Sequence, residues 1–143
     1  MFSEIACYGQ DSTFDDILTT IFISAEQNVN CVALPSGFMG RVVDFLKDQR
    51  FSAVIDFPYG ISTTQVRLHE IILAIRHGAN LIDLVLNGSY LKEENWKKIE
   101  EDLKVCSTVC NENNVTLRPI LEYKLFSPKV VIKACEMLEK YNI

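Results

Sequence analysis

Short apolar runs alternate along the chain with longer stretches in which apolar residues recur at helical spacing. The apolar runs occupy residues 5–8, 30–35, 52–60, 80–87 and 115–122. They lack the strict alternation of polar and apolar residues that a half-exposed strand shows, so we expect both faces of each strand to be buried. This pattern is typical of a parallel sheet covered by helices.

The stretches between the apolar runs predict helices over residues 11–28, 37–49, 62–78, 91–114 and 127–141. Asp11 or Ser12 is the expected N-cap of the first helix, Gly78 the residue that ends the third, and Pro128 the first residue of the last. A strand followed by a helix, five times in succession, indicates the α/β class.

Two architectures fit this pattern: an open doubly wound sheet, or part of a (β/α)8 barrel. The chain has no GxGxxG or GxxxxGK[ST] motif, so no dinucleotide or nucleotide fingerprint supports the open sheet. Within its 143 residues there is no linker or low-complexity tract, which predicts a single domain over residues 1–143.

Composition and charge narrow the range of partners. Charged residues make up 23% and the net charge is -5, which argues against a nucleic-acid partner or an anionic membrane. No apolar run approaches the roughly 18 residues of a membrane span. The acidic N-terminal sequence lacks the basic region of a signal peptide, so we expect a cytoplasmic protein. His69 and His77 are not spaced with the five cysteines as zinc ligands, so we expect reduced thiols and no metal.

Charged residues interrupt three of the apolar runs. Asp56 lies in VIDF, Asp83 in LIDLVL, and Arg118 with Glu122 in LRPILE. A buried charge costs several kcal/mol unless it is paired or hydrogen-bonded, and one such residue would most simply be a structural ion pair. Several on successive parallel strands instead suggest a polar centre inside a barrel, with Asp56 and Glu122 either structural or supporting. A carboxylate beside cations could then relay protons.

Four segments carry a resemblance: CVALP, VIDFPYG followed by STTQVRLHE, AIRHGANLIDLVLN, and LRPILE. In order and spacing, from about residue 28 to 127, they resemble the deoxyribose-phosphate aldolase family. The resemblance implies a (β/α)8 barrel, of which this chain would hold five parallel βα units and lack the last three. It also implies reversible cleavage of 2-deoxyribose 5-phosphate to glyceraldehyde 3-phosphate and acetaldehyde. That chemistry uses a Schiff base on lysine, without metal or other cofactor, on a small phosphorylated sugar.

The resemblance assigns roles to four residues. Asp83 stands at the family's proton-shuttling aspartate and Arg118 where the family has a lysine on its fifth strand, so both are the expected catalytic residues. Cys31 stands at a family cysteine near the substrate, and we expect Glu122 with it among the substrate-binding residues. Schiff-base formation needs a deprotonated amine and a nearby group that donates and accepts protons, which suits an aspartate held beside cations.

The departures from the family are as informative as the matches. The family's Schiff-base lysine lies on the sixth strand in a KTSTG-like motif, so we expect it to be missing from this chain. IACY replaces the family's first-strand IDHT, and Tyr59 replaces the histidine of FPHG. Arg118 cannot lose its proton and so cannot be the nucleophile. Lys124 is the remaining lysine near a strand end, and we expect it to be exposed in a loop.

Three hypotheses remain open. The chain is the N-terminal part of an aldolase that is inactive alone, or a non-catalytic truncated paralogue that serves as a binding or regulatory subunit. The third is an open-sheet protein whose likeness to the family is accidental. A partial barrel has two open sheet edges, so the first two hypotheses predict self-association or a complementing fragment.

Overall fold

The computed structural model describes residues 2–46 and 49–141. Within these ranges it forms one five-stranded sheet made of β1 (Glu4–Ala6), β2 (Cys31–Pro35), β3 (Arg50–Ile55), β4 (Leu81–Val85) and β5 (Thr116–Ile120). All neighbouring strands are parallel, and the order of the strands in the sheet is their order in the chain. The predicted α/β fold of successive parallel βα units is therefore confirmed.

The helices connect the strands. They are α1 (Phe14–Glu26), α2 (Met39–Leu46), α3 (Thr64–Arg76), α4 (Gly88–Lys92), α5 (Trp96–Glu112) and α6 (Pro128–Glu139), with 3-10 turns at Ser36–Phe38 and Tyr123–Leu125. The predicted helix over residues 37–49 thus begins as a 3-10 turn, and its positions 47 and 48 lie outside the described residues.

The prediction of one continuous helix over residues 91–114 is wrong. The chain turns between α4 and α5, where Glu94 has a left-handed backbone with φ 51°. Asn95 then caps α5, because its side chain accepts a hydrogen bond from the backbone N–H of Lys98. Helical periodicity continues across this break, so the sequence pattern did not reveal it.

The helix ends follow their capping residues. Thr13, and not Asp11 or Ser12, is the N-cap of α1, since Thr13 and Asp16 exchange backbone and side-chain hydrogen bonds in a capping box. Pro128 lies in the first turn of α6 as predicted. Gly78 follows the end of α3 with φ 89°, a conformation that glycine adopts without strain.

One face of the sheet packs against the helices. The buried side chains there are those of Val32, Leu34, Ala53, Ile55, Ile82, Leu84 and Leu117, in contact with Ile17, Ile21, Val42, Leu46 and Ile71. A second apolar cluster joins α4, α5 and α6 through Leu91, Ile99, Leu103, Val130, Ala134 and Met137. Burial on the helix side accounts for the apolar character of alternate strand positions.

The opposite face of the sheet is curled inward. Strands lie about 4.8 Å apart, so β1 and β5 would be about 19 Å apart in a flat five-stranded sheet. Yet Glu4 on β1 and Arg118 on β5 form an ion pair of 2.6 Å. This contact across the sheet requires the strands to curve as in a barrel wall, with the helices outside, which agrees with the expected partial (β/α)8 barrel.

Candidate active site at the inner face of the sheet

Asp83 lies in the middle of β4 and points to the inner face, where its side chain is 10% exposed. Arg118 donates to both carboxylate oxygens, from Nε at 2.7 Å and from Nη2 at 2.8 Å. Ser52 on β3 donates from Oγ at 2.6 Å. The carboxylate inside an apolar strand is therefore paired and hydrogen-bonded, which offsets the cost of burying it.

Arg118 is placed by the register of the sheet, since it is the β5 residue directly opposite Asp83. Its side chain is 31% exposed and its Nη2 also donates to Oε2 of Glu4. Burial alone would lower the pKa of Arg118, but the hydrogen bonds that it donates to the Asp83 and Glu4 carboxylates outweigh burial and raise the pKa above its ordinary value. Arg118 is thus a permanent cation and an orienting group rather than a proton donor.

Glu4 belongs to this site although the sequence analysis did not single it out. It lies on β1, one position before the IACY segment, and its carboxylate reaches Arg118 from the far edge of the sheet. Side chains two positions apart in a strand point to the same face, so Glu4 and Ala6 share a face. This spacing was the sequence signal that Glu4 could face the inner side of the sheet. Glu4 thereby supplies a carboxylate on the first strand, two positions before Ala6.

Cys31, at the start of β2, is fully buried beside this cluster. Burial, followed by the nearby Glu4 carboxylate, raises the pKa of its thiol to about 12. The side chain is therefore a neutral thiol near pH 7 and forms part of the packing below the charged groups. It does not line the cavity in front of them.

A cavity of about 430 Å³ opens in front of the charged cluster. Its walls are Glu4, Tyr8, Val54, Phe57, Asp83, Arg118, Pro119, Ile120 and Glu122. Glu122 follows the end of β5 and is exposed at the rim, where no side-chain hydrogen bond joins it to another described residue. Three carboxylates and one guanidinium face this space, so it can position and exchange protons with a small polar ligand. None of these wall residues is a lysine.

Asp56 is not part of a strand, contrary to the prediction. It follows β3 with a left-handed backbone of φ 56°, and it accepts hydrogen bonds from the N–H and Oγ of Ser62 at 2.9 and 2.8 Å. Its carboxylate also lies 3.4 Å from Nε of Arg67. Asp56 therefore holds the turn into α3 and does not face the cavity beside Asp83.

Arg67 is a second charged residue that the sequence analysis missed. It lies on α3 with 1% exposure, pairs with Asp102 of α5 and donates to the backbone oxygen of Val85 at the end of β4. Thr64 donates to the same Asp102 at 2.8 Å. Arg67 lies four positions before the buried Ile71, on the same face of α3, and this spacing was the sequence signal for its burial. This cluster ties α3 and α5 to the end of the strand that carries Asp83.

The remaining sequence candidates lie away from the cavity. His69 is exposed on α3, and Lys124 is exposed in the 3-10 turn after β5, as expected. Across residues 2–46 and 49–141, no cluster of three or more His, Cys, Asp or Glu side chains could hold a metal ion. Nor does any helix in those ranges combine the length and apolar character needed to cross a membrane.

A curled parallel sheet with outer helices and a carboxylate–guanidinium pair on its inner face defines part of a (β/α)8 barrel with a polar centre. Residues 5–139 match the model of the DeoC/LacD family of aldolases. The chain belongs to this family.

Relatives of known name agree with this assignment. The chain is 33% identical over 125 residues to a deoxyribose-phosphate aldolase of Mycoplasmopsis pulmonis, which covers 86% of this chain and 56% of the relative. It is 30% identical over 134 residues to that of Mycoplasmopsis synoviae, covering 91% of this chain and 59% of the relative. The chain thus spans somewhat more than half the length of these relatives.

Solved structures show the same fold. A deoxyribose phosphate aldolase from Aeropyrum pernix, described as tetrameric, superposes with a TM-score of 0.87 at 16% identity, over 96% of this chain and 58% of that one. QR15, an aldolase, superposes with a TM-score of 0.90 at 23% identity, over 98% of this chain and 62% of that one. At these identities the comparison establishes the fold of the chain as about three-fifths of such a structure.

Proposed function

We propose that this chain carries one side of an aldolase active site of the deoxyribose-phosphate type. The reaction would be reversible cleavage of 2-deoxyribose 5-phosphate to glyceraldehyde 3-phosphate and acetaldehyde through a Schiff base. Family membership and the named relatives support this reaction class. The observation that carries the proposal is the Asp83 carboxylate, which faces a cavity from the middle of a buried strand.

Asp83 is the proposed proton relay. Its two oxygens are oriented by Ser52 and Arg118, so the carboxylate is held in one geometry while it borders the open cavity. A carboxylate so placed can pass a proton to and from a carbinolamine or enamine at hydrogen-bonding distance. Arg118 orients Asp83 and offers its unused Nη1 hydrogens to a substrate oxygen, without exchanging protons itself.

The nucleophile in this proposal is a lysine that the described wall of the cavity does not supply. Schiff-base formation needs a neutral amine, and the one cationic side chain on that wall is a guanidinium. The amine would come from residues that complete the barrel, through a complementing fragment or self-association. Lys124 is exposed beyond the end of β5, which argues against it as the nucleophile.

A second candidate function is a binding or regulatory subunit without catalysis. It is favoured by the state of Arg118, whose positive charge is held by two carboxylates where the family has a lysine. A paired guanidinium can hold a ligand oxygen but cannot form a covalent adduct. In this alternative the chain would bind a small carbonyl compound or a partner chain without converting it.

The test is complementation by co-expression with the C-terminal two-fifths of the Mycoplasmopsis pulmonis relative, followed by an assay of 2-deoxyribose 5-phosphate cleavage. We expect turnover in the complex and none in the chain alone. Borohydride reduction with acetaldehyde should trap an adduct on the added segment only. A reduced adduct on Lys124 of the isolated chain would contradict the assignment of the nucleophile.

Asp83→Asn is the decisive variant in that complex. Asparagine keeps the shape of the side chain, so we expect an intact fold and loss of turnover by at least about a hundredfold, the usual contribution of acid–base catalysis. Asp44→Asn, the same substitution at an exposed position of α2 that does not border the cavity, is the matched carboxylate control. Unchanged turnover in Asp83→Asn would rule out the relay, and a stable complex that binds but never turns over would favour the binding subunit.

A further inference from the structure

Two carboxylates share one guanidinium on the inner face of the sheet. Arg118 donates to Asp83 from Nε at 2.7 Å and from Nη2 at 2.8 Å, and the same Nη2 donates to Oε2 of Glu4 at 2.6 Å. Arg118 is the one cationic side chain among the described residues that line the cavity of about 430 Å³. One of the two negative charges in this cluster is therefore unbalanced.

A third carboxylate adds to this imbalance. Glu122 lies on the rim of the same cavity, and the hydrogen bonds among the described residues do not engage its side chain. The other titratable side chains here are the phenol of Tyr8 on the wall and the thiol of Cys31 behind the charged groups, and neither adds a positive charge. The cavity is thus an acidic space, with three carboxylates and one guanidinium.

Glu4 is the least balanced of the two partly buried carboxylates. Asp83 binds Arg118 with both oxygens and also accepts a hydrogen bond from Ser52, whereas Glu4 makes one contact with Arg118. The Glu4 side chain is 26% exposed, so water screens its charge less than that of the exposed Glu122. Glu4 therefore contributes most of the uncompensated negative charge that faces the cavity.

The thiol of Cys31 indicates that the charge of Glu4 acts beyond its ion pair. Cys31 is the β2 residue directly opposite Glu4 in the sheet. Burial is the largest cause that raises the pKa of this thiol to about 12, and the charge of Glu4 is the next. The charge of Glu4 raises this pKa more than the charge of Arg118 lowers it, so the ion pair does not cancel the negative potential on the inner face.

An amine in such a cavity is favoured in its protonated form, because a nearby negative charge stabilises the ammonium ion. Schiff-base formation requires the neutral form, since the nitrogen lone pair forms the bond to the carbonyl carbon and the resulting carbinolamine then loses water. The ammonium ion must first give its proton to solvent or to a base. An unbalanced carboxylate beside the amine therefore moves this chemistry to higher pH.

We propose that Glu4 sets the pH range in which this site forms a Schiff base, because its carboxylate holds the reacting amine in the ammonium form. The inference rests on the proposed function, which places that amine in the cavity beside Asp83. Glu4→Gln removes the negative charge but keeps an oxygen that can accept from Arg118, so it separates charge from orientation. We expect the variant to shift the pH dependence downward by about 0.5 to 1 pH unit.

The first experiment places a titrating reporter on the cavity wall of the isolated chain. Ile120 borders the cavity two positions after Arg118, on the same face of β5, and it is half-buried, so Ile120→His should be tolerated. NMR follows the imidazole resonances between about pH 5 and pH 8, where a histidine changes charge. The exposed His69 on α3 is an internal reference in the same sample.

The reporter is compared in two further backgrounds. Combined with Glu4→Gln, the introduced imidazole should titrate about 0.5 to 1 pH unit lower, because its cationic form loses a stabilising charge. Combined with Glu26→Gln, an exposed carboxylate at the end of α1, it should titrate as before, although the net charge of the chain changes equally. No shift with Glu4→Gln, or the same shift with both variants, would overturn the proposal.

The second experiment uses the complemented complex and separates the two proposals. Glu4→Gln should raise cleavage at pH 7 by about threefold to tenfold and move the pH profile down by the same amount as the imidazole titration, with Glu26→Gln unchanged. If the imidazole responds but no complex cleaves 2-deoxyribose 5-phosphate, the electrostatic role of Glu4 stands and the proposed reaction fails. If the complex is active and its pH profile is the same with Glu4→Gln, the reaction stands and the role of Glu4 is wrong.

Discussion

Two guanidinium–carboxylate clusters lie on opposite faces of the sheet and differ in exposure. The Arg67 cluster lies between α3, α5 and the strand ends, with side chains of Arg67 and Asp102 that are 1% and 9% exposed. The Arg118 cluster lies on the inner face, where Arg118 is 31% exposed. The first is sealed by packing, and the second borders a cavity of ligand size.

This difference separates structural charge from candidate chemistry. In the Arg67 cluster both Nη atoms are engaged, by Asp102 and by the oxygen of Val85. In the Arg118 cluster, the hydrogen bonds among the described residues engage Nε and Nη2 and leave Nη1 available. A buried charge alone therefore does not mark a site, whereas a buried charge beside open space does.

Each cluster also has a neighbouring buried thiol. Cys31 lies beside the Arg118 cluster and Cys106 beside the Arg67 cluster, and burial raises the pKa of both thiols to about 12. After burial, the largest further contribution comes from a carboxylate of the adjacent cluster, Glu4 for Cys31 and Asp102 for Cys106. The raised pKa of each thiol therefore reflects how deeply its side of the sheet is buried.

The largest expected effect is that of Arg67→Met. It leaves the buried Asp102 without its cation and also removes the guanidinium beside Asp56, so the free energy of unfolding should fall by about 3 to 5 kcal/mol. Urea denaturation followed by circular dichroism measures this loss. Arg76→Met, at the exposed end of the same helix, is the control and should change stability by less than about 0.5 kcal/mol. A small loss for Arg67→Met would show that the cluster is not sealed.

Arg118→Met should destabilise the chain less, by about 1 to 2 kcal/mol, because water can reach the carboxylates that lose their partner. The same denaturation experiment measures it. In the complemented complex this variant should also lose turnover, since Asp83 is no longer oriented by the bidentate contact. If it destabilises as much as Arg67→Met, the two clusters have the same structural role and the comparison fails.

Stability should decrease at high pH on account of the buried thiols. A thiol has an ordinary pKa of 9.0, and that of Cys106 is about 12 in the folded chain. Between these values the unfolded chain releases a proton that the folded chain retains, so the free energy of unfolding falls as pH rises, by about 1 kcal/mol per pH unit for this thiol. Below pH 9 the thiol contributes no pH dependence.

Cys106→Ala should reduce that slope between pH 9 and 11, measured by urea denaturation at each pH. The exposed Cys135 is the control position, and Cys135→Ala should leave the slope as in the wild type. An unchanged slope in Cys106→Ala would mean that the helix side of the sheet is not sealed from water.

The smallest expected effect is that of Glu4→Gln. It removes the ion pair that crosses the inner face, but the partly exposed Glu4 and Arg118 are both screened by water. The free energy of unfolding should fall by less than about 1 kcal/mol. Glu94→Gln, which breaks the exposed pair with Lys129, is the matched control. A loss well above that of the control would show that the bridge between β1 and β5 holds the curvature of the sheet.

Local pattern in the sequence predicted most of the fold and singled out two of the charged residues that meet on the inner face of the sheet. Apolar runs and helical spacing located all the strands and the principal helices, because a strand buried on both faces reads as a continuous apolar run and a helix buried on one face has apolar residues at helical spacing. Asp83 and Arg118 stood out because charge in an apolar strand is costly. Glu4 and Arg67 did not, because each lies in a short or mixed segment whose burial depends on elements far away in the chain.

The break before Asn95 and the departure of Asp56 from β3 also escaped the sequence. Both depend on a residue with a left-handed backbone, at Glu94 and at Asp56, and neither residue is a glycine that would have marked the turn. Only the tertiary structure shows that Ser62 donates hydrogen bonds to Asp56 and that Asn95 caps the helix after the second turn.

The sequence by itself determined the order of strands and helices, the parallel sheet and the presence of charge inside it, since these follow from local periodicity and from the cost of burial. The tertiary structure alone decided which charges meet. The curl of the sheet brings Glu4 to Arg118 across 114 positions of the chain, and the packing of α3 against α5 brings Arg67 to Asp102. Contacts between distant segments depend on how the faces of the elements pack together, and no local pattern records that.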